Sequence, residues 1–475
     1  MRRLSPFIGV MLFLVLASCQ EQQIQSPDTG SESKVDIVPT TTSSVNEAAQ
    51  ETPSVSQSPD SSDPLQAQAL EAPSNEPSYY YTNQRPDGNR LVSGRGSLPQ
   101  TPYIDIPLKG IPQWIVAGSP RNGEYGNAAS LWAIVLADGQ TQAFVLSNGE
   151  AIEIPITPTI FGNRPPVLEL ANSQPELLVP PESDTSFGTP VVLDEFGSMA
   201  AITASGELQI IDSTGNSNIL ADIQPLPDAR LLTDGEGRLL FLSNPTSRYD
   251  HGVLGDQIEA AAITLVDTQP EPKVLLTISI PEPAVVEGIA PLWADLNGDG
   301  QREIIVTQSD AEQGAQIVVY DEGGIQVAIG PAIGRGYRWR HQIAVTPFGP
   351  GGEVELVDVL TPHIGGVVEF YRLEDDQLNI VAEVPGFTSH VIGTRNLDMA
   401  LAGDFDGDGA TELLLPNQAR TELGAIRRTA DGAEVAWTVP MNGRLSTNLA
   451  AVQLANGQLA IGAGREDGIL RVWQP

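Results

Sequence analysis

Two short acidic stretches hold the residues best placed to do chemistry. One reads Asp295-Leu296-Asn297-Gly298-Asp299-Gly300-Gln301-Arg302-Glu303, the other Asp404-Phe405-Asp406-Gly407-Asp408-Gly409-Ala410-Thr411-Glu412. Oxygen-bearing side chains fall at the first, third, fifth and ninth positions of each: Asp295, Asn297, Asp299 and Glu303, then Asp404, Asp406, Asp408 and Glu412. Alternate residues of a tight turn point the same way, and Gly300 and Gly409 permit the reversal. The backbone carbonyls of Gln301 and Ala410 stand at the seventh position. An anionic, all-oxygen set of this kind suits Ca²⁺, with six or seven bonds near about 2.4 Å. It suits a transition metal or the stricter octahedron of Mg²⁺ less well. The spacing departs from an EF-hand, whose bidentate acid comes later and whose flanks are helices. Two structural calcium ions are therefore expected. Each would neutralise crowded carboxylates and brace the turn.

The flanks of both stretches read as strands, and the pair defines a repeat of apolar strand, acidic glycine turn and second apolar strand (291–306 and 399–415). Weaker copies occur at 342–360, 230–242, 191–204 and 449–463, with an opening unit at 114–146. Their turns lack the acidic ladder, so no metal is assigned to them. About seven units of four short strands predict an all-β chain folded as a β-propeller over 99–475. A ring also removes the exposed edges that an open sheet of this size would carry. The terminal strand near 468–473 is expected to close it beside an early strand near 103–107. A β-helix or two stacked sandwiches are the other arrangements of such strands.

Upstream, residues 20–98 are rich in Ser, Thr, Pro, Gln and Glu, and they predict a disordered tether. Tyr79, Tyr80 and Tyr81 interrupt it with no role assigned. The first 19 residues carry Arg2 and Arg3, an apolar run from Phe7 to Ala17, and Leu16-Ala17-Ser18-Cys19. The run is too short to span a bilayer as a helix and reads as a secretory signal. Cys19 is the only cysteine, so an intramolecular disulfide is excluded. The formal net charge of −35 excludes the basic surface that nucleic-acid binding needs.

Two resemblances sharpen these expectations. Leu16–Cys19 resembles a bacterial lipobox, which implies that Cys19 is lipidated and anchors the protein to a membrane on the extracytoplasmic side. Gln20, in place of aspartate, would favour the outer membrane in a host that has two. The segments at 291–306 and 399–415 resemble FG-GAP or VCBS repeats of the integrin-α type, and the other units do so faintly. That resemblance implies calcium loops between the first two strands of a blade, on the lower face, in a module for binding, adhesion or scaffolding.

The other face holds a second set of candidates. His251 and His363 follow second strands, whereas His341 and His390 precede first strands, so all four histidines fall at the upper face of a propeller. Asp250, Arg338, Trp339 and Arg340 lie beside them and suggest a patch for an anion, a sugar or a protein. Asp250 and His251 also offer donors to a transition metal. No nucleophile elbow, His-Glu-x-x-His or phosphate loop occurs. A polysaccharide-active enzyme on the upper face and an envelope-assembly scaffold are the alternative functions.

Overall fold

The structure is a computed structural model. It describes residues 77–120, 125–162, 164–171, 174–179 and 190–475, which fall within one compact unit at 63–475. The expected signal segment, Cys19 and residues 20–76 lie outside the described residues.

Every regular element among the described residues is a β-strand. The strand–turn–strand copies expected from sequence form antiparallel pairs, among them Leu292–Ala294 with Glu303–Asp310 and Leu401–Asp404 with Glu412–Pro416. Inner strands such as Ser130–Leu136 and Glu303–Asp310 are buried at every position. They therefore read as continuous apolar runs, as strands covered on both faces do. Outer strands such as Glu150–Ile154 are mostly exposed.

The described strands group into eight successive antiparallel units, where about seven were expected. In chain order these span 112–154, 167–177, 191–220, 232–279, 292–329, 340–385, 401–440 and 445–473. The unit missed from sequence is the second. It has only Val167–Ala171 and Gln174–Leu177, and it takes its third strand, Ser78–Tyr81, from far upstream. The eighth unit is completed by Tyr103–Pro107, which pairs with Ile469–Trp473 as expected.

Each unit shares an apolar core with the next. Val116 of the first packs with Leu168 of the second, and Val167 of the second with Val192 of the third. Leu240 of the fourth lies in one cluster with Ile202 of the third and Ile304 of the fifth. Ile305, Val345, Ala402 and Ile461 continue the series through the fifth to eighth units. Val452 of the eighth packs with Ile115 and Trp132 of the first, so the succession returns to its start. This cyclic face-to-face packing is the plan of a β-propeller.

A further segment lies outside this succession and touches most of the units in turn. Residues 78–98, expected in the tether, are ordered against the inner ends of the units. Ser78–Tyr81 pairs with Val167–Ala171 of the second unit, and the Tyr81 hydroxyl accepts the Val192 N–H of the third at 3.2 Å. Thr233 of the fourth unit donates to the Pro86 carbonyl at 2.9 Å, and Trp293 of the fifth to the Asp87 carbonyl at 3.2 Å. The Asn89 amide bonds both the N–H and the C=O of Val345 in the sixth. Leu91–Arg95 then runs parallel to Leu401–Asp404 of the seventh, and Arg95 N–H reaches the Gly457 carbonyl of the eighth. Thr82, Asn83, Asp87, Asn89 and Arg90 are all buried. The tether boundary expected at residue 98 is thus placed too late, because polar residues that bond inner-strand backbones look the same in sequence as polar residues in a linker.

Candidate functional site

The loop at 404–412 leaves the strand Leu401–Asp404 and re-enters the sheet at Glu412. Asp404 Oδ1 accepts the Gly407 N–H at 2.7 Å, and Glu412 Oε2 accepts the Phe405 N–H at 2.9 Å. These bonds curl the turn so that one carboxylate oxygen each from Asp404, Asp406 and Glu412 lie within 4.8 Å of one another. Glu412 is fully buried, and its Oε1 has no hydrogen-bond partner among the described residues. Burial pushes its carboxyl up to about 8, and repulsion from Asp406 and Asp408 adds to this. A buried acceptor without a donor, among like charges, is costly, and the Arg427 guanidinium, 3.8 Å from this oxygen and beyond hydrogen-bond reach, offsets that only in part. The donor set is all oxygen and fits a hard divalent cation.

Asp408, expected as a fourth ligand, bonds the Ala410 N–H at 2.8 Å and pairs with Arg427. The Arg427 guanidinium also lies 3.6 Å from Asp406 and 3.8 Å from Glu412. This cation, carried by the third strand of the same unit, was not foreseen from the loop's own sequence.

The loop at 295–303 has the same frame. Asp295 accepts from Gly298 and Gly300 at 2.7 and 2.9 Å, Asp299 accepts the Gln301 N–H at 2.8 Å, and Glu303 accepts from Leu296 at 2.8 Å. Its difference is Asn297, whose Nδ2 donates to Glu303 Oε1 at 2.8 Å and fills the position of the orphan. Its Oδ1 meanwhile accepts the Asp299 N–H at 2.8 Å. Burial raises the Glu303 carboxyl, with smaller contributions from Asp295 and Asp299.

Two of the turns without an acidic ladder keep the first aspartate. Asp194 accepts from Phe196 and Ser198, both at 3.0 Å. Asp234 accepts from Glu236 at 2.8 Å and pairs with Arg238 at 2.6 Å. In the fourth unit, then, an arginine supplies the neutralising charge.

On the opposite side, all four histidines gather around Trp339. His341 stacks on its indole with ring centres 5.0 Å apart, His363 at 6.1 Å, and His390 meets it edge-on at 5.2 Å. His251 lies 5.5 Å from Tyr337 and bonds Glu287, whose backbone carbonyl accepts the Trp339 indole N–H at 3.1 Å. The ring nitrogens are largely engaged: His363 Nε2 with His390 Nδ1 at 2.6 Å, His390 Nε2 with the Thr394 carbonyl at 2.7 Å, and His341 Nδ1 with Ser389 at 2.8 Å. Burial holds His363 down at about 4 and His390 at about 3, and it pushes His341 well below the usual range.

Several expected members of the surface patch are corrected here. Trp339, Arg340, His341 and His390 are buried. Arg340 points inward to Asp358, Glu369 and Tyr371, because the sheet carries it into the interior of the sixth unit. Asp250 is exposed, and His251 bonds Glu287 through Nδ1. Arg338, Tyr337 and Ile364 are exposed at the rim, with His251 and His363 half-buried. Sequence reasoning missed Glu287, Ser389 and a buried clamp in which Asp398 takes both Arg90 and Arg230, at 3.1 and 2.8 Å. Burial alone would raise Asp398, yet the two arginines hold it down at about 2. These partners lie far apart in the chain, and no local spacing signals them.

No family model and no curated protein matches the chain. Solved structures do resemble it. BamB from Moraxella catarrhalis is 13% identical, covering 78% of this chain and 96% of that one, at a TM-score of 0.41. A europium-containing methanol dehydrogenase is 8% identical, covering 82% and 91%, at 0.48. A complex of KlAtg21 with the coiled-coil of AgAtg16 is 11% identical, covering 78% and 95%, at 0.38.

Proposed function

We propose that the chain is a membrane-tethered, extracytoplasmic β-propeller of eight blades, braced by calcium, that works as a binding or scaffold module. The observation that carries the binding reading is the segment 78–98, which lies along the inner ends of the units and bonds the second to the eighth. A chain that fills its own centre leaves its faces and rim as the surface for partners. The histidines support the same reading against the polysaccharide-active alternative. His251, His363 and His390 bond Glu287, one another and the Thr394 carbonyl, His341 bonds Ser389 through Nδ1 while its buried Nε2 has no partner among the described residues, and burial keeps His363 and His390 neutral at ordinary pH. Calcium is supported by the orphan oxygen of Glu412 and the oxygen-only donors around it.

In this reading Asp404, Asp406 and Glu412 hold one ion, and Asp295, Asn297, Asp299 and Glu303 hold the other. Each ion ties the first strand of a blade to its second. An ion that binds only the folded loop adds RT ln(1 + [L]/Kd), about 2.7 kcal/mol at 100-fold excess. Calorimetric titration of chelator-treated protein should show two sites, the tighter lost in Glu412→Gln, whereas a heat-silent titration overturns the brace. For the anchor, Cys19→Ser should move the protein out of the membrane fraction, and an unchanged fractionation removes the tether.

A further inference from the structure

The end of the inner segment lies directly on the loop at 404–412. Gly96 N–H donates to the Asp404 carbonyl at 2.7 Å, and Leu98 N–H to the Phe405 carbonyl at 2.9 Å. The Arg95 guanidinium stands 3.6 Å from the Asp404 carboxylate. The two backbones approach so closely that a Cβ on Gly96 would collide with the Phe405 carbonyl, and one on Gly407 would come within 2.6 Å of the Gly96 carbonyl. Leu98 is buried in the same core as Phe405, Leu401 and Met399. Further toward its middle Thr82 donates to Asp398 at 2.8 Å, and Arg90 joins the same carboxylate. The segment is therefore a strap held at its middle by the Asp398 clamp and at its end by the acidic loop.

We propose that the strap and the cation site are one linked device: docking of residues 95–98 and cation binding at Asp404, Asp406 and Glu412 favour each other. The inference rests on the calcium reading above. Its physical basis is shared backbone. Residues 404 and 405 supply carbonyls to the strap, while Asp404 supplies its carboxylate and Phe405 its N–H to the turn that gathers the donors. A cation that fixes this turn fixes the carbonyls that hold the strap, and a docked strap fixes the turn in return. Such coupling is reciprocal by thermodynamic necessity. The strap is also the stretch through which the upstream chain joins the units, so the cation would govern how firmly that chain is seated.

Two measurements on the full chain test this. Amide hydrogen exchange at Gly96 and Leu98 should slow at least about fivefold when calcium is added to chelator-treated protein, with magnesium as the control ion. In Gly96→Ala, which alters no donor, calcium affinity at the 404–412 loop should fall by at least about fivefold. The 295–303 loop should bind as before in that variant. Calcium binding with unchanged exchange at Gly96 and Leu98 overturns the linkage and leaves the calcium reading standing. No calcium binding in the unmodified protein overturns both. The exchange measurement needs no variant, so it decides the matter even where Gly96→Ala fails to fold.

Discussion

At the scale of single residues, one aspartate does two separable jobs. Asp194, Asp234, Asp295 and Asp404 all open a strand-connecting turn, and all accept backbone N–H groups from it. Shaping the turn needs only that first residue; holding an ion needs the later oxygens as well. In the fourth unit Arg238 bonds Asp234 and also Glu322, so the charge is met by protein alone. Asp234→Ala should therefore leave calcium stoichiometry unchanged in a titration while lowering stability in urea by roughly 1–3 kcal/mol, since it strips a buried acceptor from its donors. A lost ion would show that this loop is a third site. The histidines make a second residue-scale prediction. His390 is held at about 3 and His363 at about 4, below their ordinary 6.5, mainly by burial. The unfolded chain takes up protons near 6.5 that the folded protein refuses until much lower pH. The stability they contribute is thus complete above 6.5 and is lost as pH falls toward 4. Glu259 and Glu412, raised to about 9 and about 8, act in the opposite sense, so the effect is read as a difference between proteins. His390→Gln should flatten the fall in stability between pH 5.5 and 4.5 by up to about 1.4 kcal/mol per pH unit, and an identical slope would place the histidine in water.

At the scale of elements, asparagine amides stand in for strand backbone where pairing fails. Asn448 of the eighth unit accepts the Ile115 N–H at 3.0 Å and donates to the Ile115 carbonyl at 2.8 Å, joining the last unit to the first. Asn89 does the same for Val345. Asn448→Ala should leave both Ile115 groups unpaired in the interior and lower unfolding stability by roughly 2–5 kcal/mol, at about 1–3 kcal/mol per group. Stability within a few tenths of a kcal/mol of the parent would mean that the junction relies on apolar packing alone. The inner strands and their glycine turns were legible in sequence because burial on both faces demands unbroken apolar runs. So was closure by 103–107, since an unpaired terminal strand must find an edge. The second unit was not legible: its strands are short, and its third strand lies some ninety residues upstream in a stretch that reads as linker. In the second acidic loop the gathering of Asp404, Asp406 and Glu412 could be read from spacing, whereas Arg427 could not, because it arrives from the neighbouring strand. The grouping of the histidines on one side followed from their place in the repeat. Their burial did not, since it depends on Trp339 and on loops from several units.

At the scale of the whole molecule, the strap decides where the folded protein begins. The chain carries 60 acidic against 25 basic residues, a surplus that favours solubility and repels its own parts. Segments with no apolar burial and no ion pairs would be expected to remain outside the folded body under that repulsion. The strap instead buries Arg90 against Asp398 at 3.1 Å and sets the partly buried Arg85 beside Asp87 at 3.1 Å and the exposed Arg95 beside Asp404 at 3.6 Å. It also contributes Val92 and Leu98 to the core shared by the seventh and eighth units. Cleavage by trypsin after Arg90 or Arg95 requires that the strap first leave its strand pairing and these ion pairs, at a free energy closer to global unfolding than to fraying of a terminus. Limited trypsin digestion in calcium should therefore yield a resistant core whose N-terminus, read by mass spectrometry, lies at or before Ser78. Cores that begin at Leu91 or Gly96 would mean that the strap opens independently of the ring, and the folded boundary would then move back toward residue 99.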